Sequence, residues 1–80
     1  MSKGEYRVGI TFNPSNNNKV QEIKLHAANL IDLIDGIIGV QTSMDDLRGK
    51  EISRLKALAQ TAIEEGAMWA VKAATKGPME

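Results

Sequence analysis

The side chains in this 80-residue chain that could do chemistry are few. His26 is the only histidine and there is no cysteine. A metal site needs several such ligands, and an acid–base pair needs a partner within reach. His26 therefore reads as a packing or surface residue. Glu64 and Glu65 are adjacent, so on a helix they point about 100° apart and cannot share a proton. Asp45 and Asp46 suit a helix start, where acids oppose the dipole, and Asp32 and Asp35 read as solvated. No phosphate-binding glycine loop or nucleophile motif is present, so no enzymatic activity, metal or cofactor is expected.

Two groups of residues carry more. In the first, Phe12-Asn13-Pro14 stands upstream of Lys24. An aromatic at a turn can stack on a nucleobase, an asparagine can hydrogen-bond a base edge, and a lysine can meet a phosphate. The plainer reading is that Phe12 plugs the core and Lys24 is a solvated helix residue. In the second, Lys72, Thr75 and Lys76 fall on one helix side by the i, i+3, i+4 rule. Lysines in a last helical turn are also favoured by the dipole alone. Trp69 reads as an interface anchor.

The elements that must position these residues follow from periodicity. Tyr6, Val8, Ile10 and Phe12 alternate with Arg7, Gly9 and Thr11, which predicts an extended strand-like arm, with a short helical turn as the alternative. Asn13-Pro14-Ser15-Asn16-Asn17-Asn18 is a turn, with Asn18 as N-cap of the next helix. A helix is predicted from about Lys19 to about Ile38. Its seam is Val20, Ile23, Ala27, Leu30, Ile34 and Ile37, spaced 3, 4, 3, 4, 3. Gly39 breaks it, and Ser43-Met44-Asp45-Asp46 reads as a capping box. A second helix, from Asp45 or Lys50 to about Thr75, repeats the spacing at Ile52, Leu55, Ala59, Ala62, Gly66, Trp69 and Ala73. Gly77-Pro78 stops it.

The expected fold is all-α: one domain over residues 1–80, an antiparallel helical hairpin with a short N-terminal arm. So short a chain buries little surface, and cysteine-free chains cannot use disulfides. Further apolar rows at Ile31, Leu33 and Ile38, and at Leu58, Ile63, Ala67, Ala70, Val71 and Ala74, point to packing against other copies in a homo-oligomer. Ten basic and ten acidic residues cancel, which disfavours duplex-DNA binding. No apolar run has the length of a membrane span and Met1-Ser2-Lys3-Gly4-Glu5 has no hydrophobic signal region, so a soluble cytoplasmic protein is expected.

The segments Thr11-Phe12-Asn13-Pro14-Ser15-Asn16-Asn17, Glu22-Ile23-Lys24 and Ala67-Met68-Trp69-Ala70-Val71-Lys72-Ala73-Ala74-Thr75-Lys76 resemble the phage helical-hairpin proteins that sequester immune signalling nucleotides, the anti-CBASS and anti-Thoeris inhibitors. The resemblance implies a hexamer of interlocked dimers, in the cytoplasm of an infected bacterial host, that holds cyclic di- or trinucleotides or cyclic ADP-ribose isomers without cleaving them. By the same resemblance Phe12 stacks on the bases and Lys24 lies over the ligand. Asn13 and Pro14 shape this first pocket, while Lys72, Thr75 and Lys76 belong to a second pocket for trinucleotides. The chain departs from relatives that carry Tyr at the Phe12 position and Arg at the Lys72 position; lysine keeps the charge but cannot grip phosphate bidentately. The competing reading is a protein-interaction module whose alanine-rich groove, with Met68 and Trp69, receives a partner helix.

Overall fold

The computed structural model describes residues 1–38 and 46–79. Gly39 and most of the capping box expected at Ser43-Met44-Asp45-Asp46 lie outside them. Among the described residues there are three helices, α1 (Lys3–Val8), α2 (Asn18–Asp35) and α3 (Asp46–Ala74), and no strand.

The arm is therefore helical, not extended. Its first turn closes a capping box that outweighs the alternation further on. The Ser2 hydroxyl accepts from the Glu5 amide at 3.1 Å, and the Glu5 carboxylate accepts from the Ser2 amide at 2.8 Å. Gly9, left-handed at φ 65°, ends α1 and turns the chain. α1 lies on its own hairpin.

α2 and α3 run antiparallel: Asn17 at the start of α2 reaches Ala74, while Lys56 of α3 reaches the other end of α2. The N-cap is Asn17, one residue before the expected Asn18; its side chain accepts from the amides of Lys19 and Val20. α2 also stops earlier than expected, with Gly36 as C-cap. There the Lys56 ammonium donates to the carbonyls of Asp35 at 3.0 Å and Ile37 at 2.6 Å, satisfying acceptors that a helix end leaves open.

Both seams are rotated from their expected positions. On α2 the buried stripe is Val20, Lys24, Ala28 and Ile31, so Ile31 is core while Leu30 is 43% exposed. On α3 the inward stripe runs through Lys56, Gln60, Ile63, Ala67, Val71 and Ala74. Leu55, Ala62, Gly66, Trp69 and Ala73 face outward. The physical reason is the same twice: each inner stripe passes through a polar residue, Lys24 or Gln60, which apolar periodicity skips. Gln60 is admitted because its amide donates to the Ile31 carbonyl at 3.0 Å. Among the described residues the fully enclosed apolar core is correspondingly small, comprising Val20, Ala28 and Ile31.

Candidate functional site

The loop between α1 and α2 folds over the start of α2 and the end of α3. Between them is a cleft of about 240 Å³. Phe12, Asn13, Pro14 and Ser15 supply its loop wall, Val20 and Lys24 come from α2, and Val71 and Thr75 close it from the end of α3. Lys24 is its one charged lining residue.

Lys24 does not behave as a solvated helix residue. It is 6% exposed, and its ammonium donates to the carbonyls of Gly9, at 2.9 Å, and Phe12. It also stands 5.4 Å from the centroid of the Phe12 ring, within range for a cation–π contact. Phe12 in turn does not plug the core: it is 70% exposed. A large apolar ring left in water gains nothing from burial within the single chain, so its face stays available to whatever binds there. Pairing the two gives an aromatic platform next to a positive charge, a combination suited to a flat, anionic group.

The asparagines hold the loop. The Asn13 side-chain amide donates to the Asn17 carbonyl at 3.0 Å, and its oxygen accepts from the Ser15 hydroxyl at 2.9 Å. Asn17 ties the loop to α3 through a longer bond to the Ala74 carbonyl, 3.5 Å. Asn13 is thus used mainly in shaping the wall.

Of the expected site residues, Phe12, Asn13, Pro14, Lys24 and Thr75 come together here. Helical spacing groups Thr75 with Lys72 and Lys76, yet it borders the same cleft as Phe12. On a helix, Thr75 lies over Val71, four residues back, and its hydroxyl donates to the Val71 carbonyl at 2.8 Å. Lys72 and Lys76 are exposed and do not line this cleft. The Lys72 ammonium instead stands 5.6 Å over the exposed Trp69 ring. His26 is a surface residue. Residue-by-residue reading missed Ser15, Val20 and Val71 as lining, and Gly9 as the residue whose carbonyl accepts from the lysine ammonium. A glycine ending a short capped helix was the available signal for Gly9.

Among the described residues no three His, Asp or Glu side chains gather as a metal ion would require. No described helix is long and apolar enough to cross a membrane.

Fold and cleft together define a small all-helical hairpin domain with an aromatic-walled, lysine-floored pocket at one end. The sequence profile of the Acb2/Tad1 hairpin domain matches residues 4–75. The chain belongs to that family, the family of anti-CBASS and anti-Thoeris sponge proteins, as its resemblance implied. No curated protein and no solved structure matches it.

Proposed function

We propose that the protein binds cyclic oligonucleotide signals at the Phe12–Lys24 cleft and sequesters them uncleaved, lowering their free concentration so that a downstream immune effector stays off. The observation that carries this reading is the exposed Phe12 ring beside the buried Lys24 ammonium. The ring offers a base a face to stack on. An ammonium has three N–H donors, and the Gly9 and Phe12 carbonyls take two, which leaves one for a phosphate. Family membership supports the ligand class.

The size of the cleft supports a shared site. Small-molecule pockets usually enclose ~300–1,000 Å³, and one chain offers about 240 Å³ with the aromatic wall open to water. A second copy facing the first would close it. The exposed Leu30, Leu33, Leu55, Leu58, Met68 and Trp69 provide apolar surface for such packing. A hexamer, a second pocket built around Lys72 and Lys76, and residence in an infected bacterial host are extensions of the same proposal.

The test is calorimetry and thermal shift of the purified protein against cyclic di- and trinucleotides and cyclic ADP-ribose isomers, with the recovered ligand checked for integrity. Tight binding of intact ligand is expected. No heat and no shift with any of them would transfer the apolar surface, with Met68 and Trp69, to a partner helix.

A further inference from the structure

α1 is too short to be a stable helix by itself, since isolated helices below ~12–15 residues are marginal in water. Its docking is specified at Gly4. That residue is buried, and its amide donates to an Asp32 carboxylate oxygen at 2.7 Å. A Cβ at Gly4 would overlap the Ala28 carbonyl oxygen and come within 2.8 Å of the Ala28 carbonyl carbon, backbone that cannot swing aside. Lys3 adds a bond to Asp35 at 2.8 Å and one to Gln60 at 3.2 Å; Arg7 adds one to Glu64 at 2.9 Å.

From α1 an unbroken run of backbone bonds reaches the cleft. Ile10 donates to the Glu5 carbonyl at 3.0 Å, and Phe12 donates to the Gly9 carbonyl at 2.9 Å. The carbonyls of Gly9 and Phe12 then converge on the Lys24 ammonium. The Phe12 ring, exposed as it is, does not anchor this loop by packing. Its position depends on the backbone, and the backbone depends on where α1 is docked.

We infer that Gly4 and Asp32 are positioning residues for the Phe12 pocket: α1, seated by them on the hairpin, is the strut that aims Phe12 and sets the bonds of Lys24. Neither residue lines the cleft. The consequence is reciprocal, because a ligand held by the seated loop must also strengthen the seating of α1. That this cleft takes cyclic dinucleotides rests on the function proposed above; that Gly4 sets the loop does not.

The experiment compares the wild type with Gly4→Ala, Asp32→Ala and Asp32→Asn. Amide exchange is read without ligand, and affinity is read with cyclic di-adenylate and cyclic di-guanylate. Gly4→Ala is expected to speed exchange at Ile10 and Phe12 while the α2 and α3 amides keep their protection, and to weaken dinucleotide binding at least tenfold. Asp32→Ala should do the same, and Asp32→Asn, whose amide oxygen still accepts from Gly4, should restore most of both. In the wild type, either dinucleotide should slow exchange at Tyr6 and Val8, which lie outside the cleft. Unchanged exchange at Ile10 and Phe12 in both Gly4→Ala and Asp32→Ala overturns the inference. So does faster exchange with undiminished binding. If the wild type binds neither dinucleotide, the functional proposal loses this ligand class, and the exchange comparison alone decides whether Gly4 and Asp32 hold the loop.

Discussion

Phe12 and Lys24 divide the work of the cleft in a way that predicts different outcomes when each is changed. Phe12 is exposed and adds little to the core, so Phe12→Ala should leave thermal unfolding of the free protein nearly unchanged. One base–aromatic stack contributes ~1–3 kcal/mol, and each ~1.4 kcal/mol is tenfold. Titration calorimetry should thus show cyclic-dinucleotide binding weakened roughly five- to hundredfold; equal affinity would remove Phe12 from the site. Lys24→Met keeps the buried stem but deletes both bonds to loop carbonyls. Bonds to charged donors contribute ~1.5–3 kcal/mol each before the exposure of the loop is discounted. This variant should therefore lose ligand and also melt earlier, and a melting curve matching the wild type would mean the carbonyls are held by something else.

At the scale of the element, α1 is the weak point of the fold, and its attachments are acidic. Bonds from Lys3 and then Gln60 hold the Asp35 carboxyl below the usual aspartate range, helped by the charges of Lys3 and Lys56. Bonds from the Ser2 backbone and hydroxyl do the same for Glu5. A carboxyl with a lowered folded-state pKa contributes stability that is present above its unfolded pKa and lost as pH falls through the folded one. The arm should therefore stay docked at neutral pH and loosen below about pH 4. Both carboxyls are solvent-accessible, so salt weakens the effect. In amide NMR spectra titrated from pH 7 to pH 3, α1 resonances should move to coil positions before those of α2 and α3; a concerted loss of all three would contradict a separately docked arm. The Asn17 cap offers a second test. Replacing such a cap with alanine costs ~0.5–2 kcal/mol, and for a domain this small each ~1 kcal/mol moves Tm by about 4–8 °C. Asn17→Ala should lower the melting point on that scale, measured by circular dichroism.

The molecule is long and thin, 59 × 26 × 13 Å, and among the described residues three, Val20, Ala28 and Ile31, make up the enclosed apolar core. That geometry leaves most of the leucines and the single tryptophan with a face in water. So small a buried area leaves a single chain with a narrow margin of stability, which is the physical basis for proposing several copies per particle. Sedimentation equilibrium should give a mass above the 8.7 kDa of one chain. Trp69, 56% exposed in the isolated chain, should emit as a shielded indole at high concentration and shift to the red on dilution. Emission of an exposed indole at every concentration would place the interface elsewhere.

The hairpin itself was legible in the sequence. Two long apolar periodicities, a turn at Asn13-Pro14 and a stop at Gly77-Pro78 leave few other all-helical arrangements for so short a chain. Phe12, Asn13, Pro14 and Lys24 could be picked out as a group because their types suit a base and a phosphate. Which face of each helix turns inward was not legible, since that depends on polar residues finding partners. Lys24 is buried with two loop carbonyls receiving its ammonium, and Gln60 with the Ile31 carbonyl and the Asp35 carboxylate receiving its amide. The form of the arm was likewise undecided: the alternation of Tyr6, Val8, Ile10 and Phe12 suggests a strand, and the Ser2–Glu5 box with the close approach of Gly4 to α2 makes a helix. Thr75 joined the Phe12 cleft for the same kind of reason. Chain order determines that Val71 and Thr75 share a helix side, but only the antiparallel return of α3 brings that side to the loop that begins α2.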